Sequence, residues 1–351
     1  MATLPVIPLV QGHIDVFALR DSGQAQLRGW IFRADAPISR VDIALQGQPW
    51  LARIPLQPRP DVRAAFEPQL GPRPHISQSG FEVSAPLPAG ARVSAETIIT
   101  VTPYNAEGWP LAALHTFLRD ESFPAERGLE PPEELRQRVG GAQDFSLIGS
   151  QLVGLILTCV QNYRPMADAS RILDWGCGCG RVIRPLSRFV PAGKIHGCDI
   201  DRAAIAWDQV NIPGSAFTRI EPYPPTPYPD GYFDIVYGIS VMTHLDEKTQ
   251  LQWLEELRRI TAPGAILALS VIGENLRATN MPASLAEEFA AKGFASFVPG
   301  YSADHKEFSH QDYYQEAYHT VSYIAETWSR YFEVLQYVET KHQDVVVLRR
   351  A

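Results

Sequence analysis

The stretch "ILDWGCGCGR", residues 172–181, constrains this chain more than any other. An apolar pair leads into an acid and a tryptophan. Three glycines then alternate with two cysteines before a cation. Alternating glycines after a short apolar run mark a strand that must turn sharply and leave room for a ligand against its backbone. Three ligand classes suggest themselves. A metal knot is disfavoured, because Cys177 and Cys179 are one residue apart and zinc sites usually use two-residue gaps and four ligands. Cys198, near the end of the next strand, does not complete such a set, so the cysteines read as small packing residues. A dinucleotide turn wants G-x-G-x-x-G; Gly176 and Gly178 fit, but the third position is Arg181 and Gly180 comes one residue early. Asp174 sits just before the first glycine, where it would repel a pyrophosphate and suit a cofactor carrying an amino group.

S-adenosylmethionine is such a cofactor, with an ammonium, a sulfonium and no phosphate. The stretch resembles the first motif of the class I methyltransferases: an acid, any residue, then alternate glycines. Three further segments extend the resemblance over about residues 130–350. "KIHGCDID" puts Asp199 at the tip of a second strand, where a carboxylate can accept both ribose hydroxyls, and Asp201 reads as the cap of the next helix. "YPDGYFDIVYGISVMTHL" is similar to the family's fourth-strand segment, with Gly238–Ser240 facing the methionine half. "ELRRITAPGAILALS" resembles the helix, turn and fifth strand. The resemblance implies S-adenosylmethionine as cofactor, held by Asp174, Gly176, Cys177, Gly178, Asp199, Ile200, Gly238 and Ser240. The loop "FTRIEPYPPTPYPDG" lacks the Asp that many relatives offer to the adenine amino group; Glu221 or a backbone carbonyl is the substitute available. The implied fold is α/β, a seven-stranded Rossmann-like sheet with its last strand antiparallel and inserted beside the fifth.

The order of elements agrees. From about residue 146, strand and helix patterns alternate, as a mainly parallel sheet requires. "YFEVLQYVE" and "QDVVVLRR" stand only a few residues apart, so they pair antiparallel. Residues 1–118 differ: "QAQLRGWIFR", "RVDIALQG", "SGFEVSAPL" and "ETIITVTPY" are short runs rich in β-branched and aromatic residues, separated by Gly and Pro. Val41, Ile43 and Leu45 show the period-two pattern of a half-buried strand. These runs predict an all-β, Ig-like sandwich as an accessory domain. Residues 119–145, charged and proline-rich, read as a linker and entry helix, and 146–351 as the methyltransferase domain. The front segment, about residues 13–105, resembles β-sandwich domains joined to bacterial glycosyltransferases and polysaccharide-modifying enzymes. Arg59, Pro60 and Asp61 there read as an ordered turn.

Methyl transfer is an in-line displacement, so a hydroxyl acceptor needs a base while an already nucleophilic one needs mainly alignment. His319, read as opening a helix before the sixth strand, and His244, after the fourth strand, are the candidate bases; His310 is a weaker one. The segment 281–320 holds Phe294, Phe297, Tyr301, Phe308, Tyr313, Tyr314 and Tyr318 and is the expected acceptor region, with Tyr301, Tyr314 and Tyr318 as substrate contacts. Asp304 and Asp312 lack metal-ligand spacing, so no metal is predicted. The expected activity is O-methylation of a bacterial glycan or glycosylated small molecule; a small metabolite or natural product is the second acceptor class, and a non-catalytic scaffold with a relic cofactor fold the third reading. A net charge of −8 without a Lys/Arg cluster argues against nucleic acid. The longest apolar run, 152–160, is far shorter than the roughly 20 residues of a membrane span. None of the four cysteines lies in the first 150 residues, which fits a reducing compartment, and a cytoplasmic protein is expected. A homo-oligomer is compatible with the sequence.

Overall fold

The computed structural model describes residues 10–351 apart from 21–22, 34–35, 46, 92, 94–96, 112, 118–129, 141–144, 162, 188–189, 275–280, 300–312 and 341. The chain divides into two compact units. One holds Pro8–Gly128 and Ser150–Thr158, the other Leu129–Gly149 and Cys159–Ala351.

The first unit is antiparallel. Its strands are β1 (Gln11–Leu19), β2 (Gln24–Phe32), β3 (Arg40–Leu45), β4 (Gln48–Pro55), β5 (Gln57–Pro58), β6 (Gln78–Pro86), β7 (Ile98–Tyr104) and β8 (Leu114–Phe117). They form two four-stranded sheets, ordered β1-β2-β6-β5 and β4-β3-β7-β8. The alternation of Val41, Ile43 and Leu45 is realised: all three are buried in one cluster with Leu27, Ile31, Phe81 and Val101, drawn from both sheets. The segment at Arg59–Asp61 is not an isolated turn. Helix α1 (Pro60–Leu70) begins there, with Pro60 in the first turn, where a missing N–H costs no intrahelical bond. The Arg59 guanidinium bridges Asp15 and Asp61 at 2.6 and 2.7 Å, which holds the Asp61 carboxyl down at about 2.

The second unit carries the alternation. Helix α2 (Glu133–Arg138) and helix α3 (Phe145–Val160), of which Ser150–Thr158 group with the first unit, precede β9 (Ile172–Trp175), α4 (Ile183–Leu186), β10 (Ile195–Asp199), α5 (Arg202–Asn211), β11 (Ala216–Arg219), β12 (Phe233–Gly238), α6 (Glu247–Ile260) and β13 (Thr261–Val271). Then follow α7 (Ala286–Lys292), β14 (Phe294–Phe297), β15 (Glu316–His319), α8 (Val321–Thr327), β16 (Glu333–Val338) and β17 (Asp344–Arg349). The seven-stranded sheet runs β11-β10-β9-β12-β13-β17-β16. Strand β17 is antiparallel to both β13 and β16, as the short connection demands, while the β10–β9, β9–β12 and β12–β13 pairs are parallel. Strand order reverses beside β9, so a crevice opens at the carboxyl ends of β9, β10 and β12. Asp201 and Asp246 cap α5 and α6 with their side chains.

One local expectation changes. His319 closes strand β15, and Thr320, whose hydroxyl accepts from the Tyr323 N–H at 3.0 Å, caps α8 in its place. Among the described residues, no helix is long and apolar enough to cross a membrane.

Phe233 anchors the base of β12. It is fully buried and meets Tyr228, Tyr232 and His196 edge-on, at centroid distances of 4.8, 5.0 and 5.4 Å. Phe233→Ala is predicted to destabilise this unit by about 3–5 kcal/mol. Denaturant unfolding followed by tryptophan fluorescence checks this, and a loss under about 1 kcal/mol would contradict the packing described.

Candidate cofactor and acceptor site

A cavity of about 490 Å³ occupies the crevice. Its floor is the glycine turn. Gly176, Gly178 and Gly180 all have positive φ, at 78°, 53° and 72°. A Cβ on Gly176 would collide with Val241, and one on Gly178 with Val139. Both conditions select glycine.

The turn is pinned to the next strand. The Gly176 and Cys177 N–H groups donate to the Cys198 carbonyl at 2.8 and 3.1 Å. The Gly178 N–H donates to one oxygen of Asp199 at 2.7 Å, and the Asp201 N–H to the other at 2.8 Å. Each carboxylate oxygen keeps a second lone pair, and Asp199 lines the cavity beside Ile200. Burial raises the Asp199 pKa to about 6 against the pull of these N–H donors. Asp174 is 2% exposed, lines the same cavity and has one carboxyl oxygen without a partner. Burial, with Asp199 nearby, raises its pKa to about 8. A buried orphan acceptor is costly unless a ligand donor meets it. An ammonium is such a donor, so the residues present fit the amino end of S-adenosylmethionine.

Beneath the turn lies Asp208, fully buried, with one oxygen unpaired and the other near the Cys177 thiol at 3.9 Å. Burial and the charges of Asp199 and Asp174 raise Asp208 to about 9. Burial likewise holds the Cys177 thiol well above its ordinary value and Cys179 at about 12. All four cysteines are free, buried thiols. Among the described residues no group of three His, Cys, Asp or Glu could hold a metal.

The roof comes from several elements. Ile239–Val241 follow β12, and Ser240 adopts a left-handed φ of 59°, a strained conformation of the kind that accumulates at functional sites. Its N–H donates to Ser270 at 2.7 Å and its hydroxyl to Gln343 at 3.0 Å. Gly238 lies below the rim: a Cβ there would approach Trp175 at 2.8 Å, so it serves strand packing, not the cavity wall. Glu221 also stays outside the wall, 3.6 Å from Arg219 with its side chain largely exposed; Ile220 takes the place at the rim.

The candidate acceptor residues separate. His244 and Tyr314 line the cavity and stack at 4.5 Å. The His244 Nδ1 pairs with the Gln315 carbonyl at 3.0 Å; a carbonyl only accepts, so Nδ1 carries a hydrogen. Tyr318 is fully buried and does not line the cavity; it packs parallel to Phe297, with its hydroxyl donating to Glu316 at 3.1 Å. Tyr301, Phe308, His310, Asp304 and Asp312 lie outside the described residues.

His319 is not at the cavity. It is fully buried, with its ring edge-on to Phe294 and Trp328. Its Nε2 pairs with the Gln250 carbonyl oxygen at 2.9 Å, and the Gln250 amide donates to Met242 and Leu245 carbonyls at 2.7 and 3.1 Å. Burial pushes its pKa down to about 3. It is therefore a neutral core ring that braces, through Gln250, the turn carrying His244. The expectation of a general base at His319 fails because tertiary burial, invisible locally, removed it from solvent.

Sequence reasoning missed Arg138, Val139, Arg181, Trp253 and Gln343 as cavity residues. The helix-stop pattern "ELRQRVGG" was a signal for the first two. Gln343 had none. A second cavity of about 590 Å³, lined by Tyr223, Pro224, Pro225 and Arg259, holds none of the motif residues.

Residues 172–264 match the family model described as a methyltransferase domain. An uncharacterized methyltransferase of Schizosaccharomyces pombe is 33% identical over 105 residues, covering 27% of this chain and 37% of that protein. A trans-aconitate 2-methyltransferase of Variovorax paradoxus is 28% identical over 109 residues, covering 30% and 40%. The chain thus spans about two fifths of the length of these curated relatives. A methyltransferase structure from Methanosarcina mazei aligns at 20% identity with a TM-score of 0.39, over 54% of this chain and 96% of that one.

Asp174, Asp199 and Asp208 hold protons in the fold that the unfolded chain releases near its ordinary carboxyl pKa of about 3.9. The stability they contribute is complete below that value and is lost as pH rises through the folded values of about 6, 8 and 9. Thermal melts of the ligand-free protein should therefore fall from pH 6 to 9, and Asp208→Asn should flatten the alkaline part. A melting temperature independent of pH in that window would contradict this electrostatic picture.

Residues 172–264, which supply the glycine turn and both acids of the cavity, thus match a methyltransferase domain, and the residues of the cavity fit S-adenosylmethionine.

Proposed function

We propose that the whole chain is an S-adenosylmethionine-dependent methyltransferase acting on a small-molecule acceptor. The observation that carries this reading is the pairing, across one cavity, of a buried carboxyl with an orphaned oxygen and a second carboxylate pinned to the glycine turn. Asp174 takes the ammonium and Asp199 the ribose hydroxyls, while the turn gives the backbone approach that the adenosyl group needs. S-adenosylmethionine supplies a methyl group on positively charged sulfur. The chain's task is to align an acceptor with it and to exclude water. Val241, Leu245, Trp253 and Tyr313 supply the apolar and aromatic enclosure, and Ser240 closes the methionine side. Tyr314 and His244 form the acceptor wall, and the His244 imidazole is the base for the proton that a hydroxyl acceptor gives up as its oxygen bonds to the methyl carbon and the carbon–sulfur bond breaks.

A glycan or glycosylated acceptor is the narrower version of this proposal, and it rests on the resemblance of residues 13–105 alone, a fold-level analogy. In it the two front sheets form an accessory sandwich over 1–118, a connector runs over 119–145 and the methyltransferase domain covers 146–351. The relatives named for trans-aconitate methylation support a small-molecule acceptor more broadly.

Asp199→Ala should weaken S-adenosylmethionine binding about ten- to a hundredfold, the worth of a charge-assisted contact of roughly 1.5–3 kcal/mol. Calorimetric titration with circular dichroism as the folding control measures it, and unchanged affinity would overturn the ribose assignment. Binding of the ammonium should also drive the proton off Asp174. The cation prefers the ionised carboxylate, so affinity should rise with pH up to about 8 and level beyond it. Titrations at pH 7 in buffers of different ionisation enthalpy should report proton release; proton uptake would contradict the Asp174 role.

A further inference from the structure

Arg181 stands where a dinucleotide motif would place its third glycine, and the cofactor reading so far leaves it without a task. It lines the cavity, as Asp174 does. Its side chain is half-buried, and burial lowers its pKa. Its Nη1 donates to the carbonyls of Val139 and Gly140 at 2.6 and 3.0 Å. Carbonyl dipoles satisfy hydrogen-bond geometry but do not neutralise a cation, and buried charges are normally paired. Among the described residues no carboxylate stands within ion-pair distance of it. The other cavity-lining arginine differs, since Arg138 is bound to Asp201 at 3.0 Å and to Glu134 at 2.9 Å. Asp174 is near enough that each group shifts the other's titration, yet the two form no ion pair. A half-buried cation and a buried acid therefore flank one space without closing on each other.

We propose that Arg181 binds the carboxylate of the cofactor's amino-acid end, so that Arg181 and Asp174 together read that end as a zwitterion. The inference rests on the S-adenosylmethionine reading above. It assigns a ligand charge to the one motif position that departs from the glycine pattern. It also ties the cofactor to the segment that leaves α2, because the same guanidinium holds the Val139 and Gly140 carbonyls. Arg181 is a binding residue in this account and takes no part in moving the methyl group.

The test compares S-adenosylmethionine with decarboxylated S-adenosylmethionine, which keeps the sulfonium and the amine and lacks only the carboxylate. The full-length wild type should bind the first about ten- to a hundredfold more tightly by calorimetry, as a charge-assisted contact implies. Arg181→Met, which keeps the apolar stem, should weaken S-adenosylmethionine by about that factor and leave the decarboxylated ligand unchanged, bringing the ratio near one. If Arg181→Met melts below the assay temperature, Arg181→Gln is measured with the same expectation, since its amide can still donate to the two carbonyls. Equal weakening of both ligands would make Arg181 a purely structural clamp and overturn the proposal, as would equal wild-type affinities. A wild type that binds neither adenosyl ligand would sink the cofactor reading itself, a distinct result.

Discussion

The contact on which the site depends is the Asp199 carboxylate, fixed between the Gly178 and Asp201 N–H groups at 2.7 and 2.8 Å. One side chain at the tip of β10 thereby holds the glycine turn leaving β9 and sets the entry of α5, which Asp201 then caps. Two N–H donors hold the carboxylate in place, while burial works against its charge. The balance leaves a carboxylate able to ionise near neutrality with lone pairs still available to a ligand. Without that contact the turn would keep only the Cys198 carbonyl as its tie to the neighbouring strand.

Around this contact the cradle concentrates acid in little space. Asp199 raises the pKa of Asp174, both raise that of Asp208, and burial raises all three. Such an arrangement costs stability in the empty protein and is the kind of strain that functional sites retain. A cationic ligand relieves it. The left-handed Ser240 and the arginine at position 181 belong to the same pattern: each breaks a local rule, and each faces the cavity.

The parts of this site that could be read from the sequence are the local ones. Asp174, the alternating glycines, Asp199 and the cap at Asp201 are set by a strand–turn–helix grammar that needs no distant partner. The antiparallel β16–β17 pair followed from the shortness of its connection. Distance in sequence defeated the rest. Pro60 looked like a turn residue because proline marks both turns and helix starts, and only the eleven-residue helix after it decides between them. His319 looked catalytic because aromatic neighbours flank it in sequence, whereas its fate was settled by Gln250, Phe294 and Trp328 closing over it. Gln343 reaches Ser240 and Ser270 across three elements, a convergence that no local pattern encodes.

The central claim is that this cavity holds an adenosyl amino acid and not a dinucleotide. A crystal structure of the protein soaked with S-adenosylhomocysteine and, separately, with NAD tests it directly. The account predicts the first ligand in the crevice, its ammonium within hydrogen-bond distance of the orphaned Asp174 oxygen and its ribose on Asp199, with no density for the second. A pyrophosphate seated on the glycine turn, or adenosyl density away from Asp174 and Asp199, would contradict it.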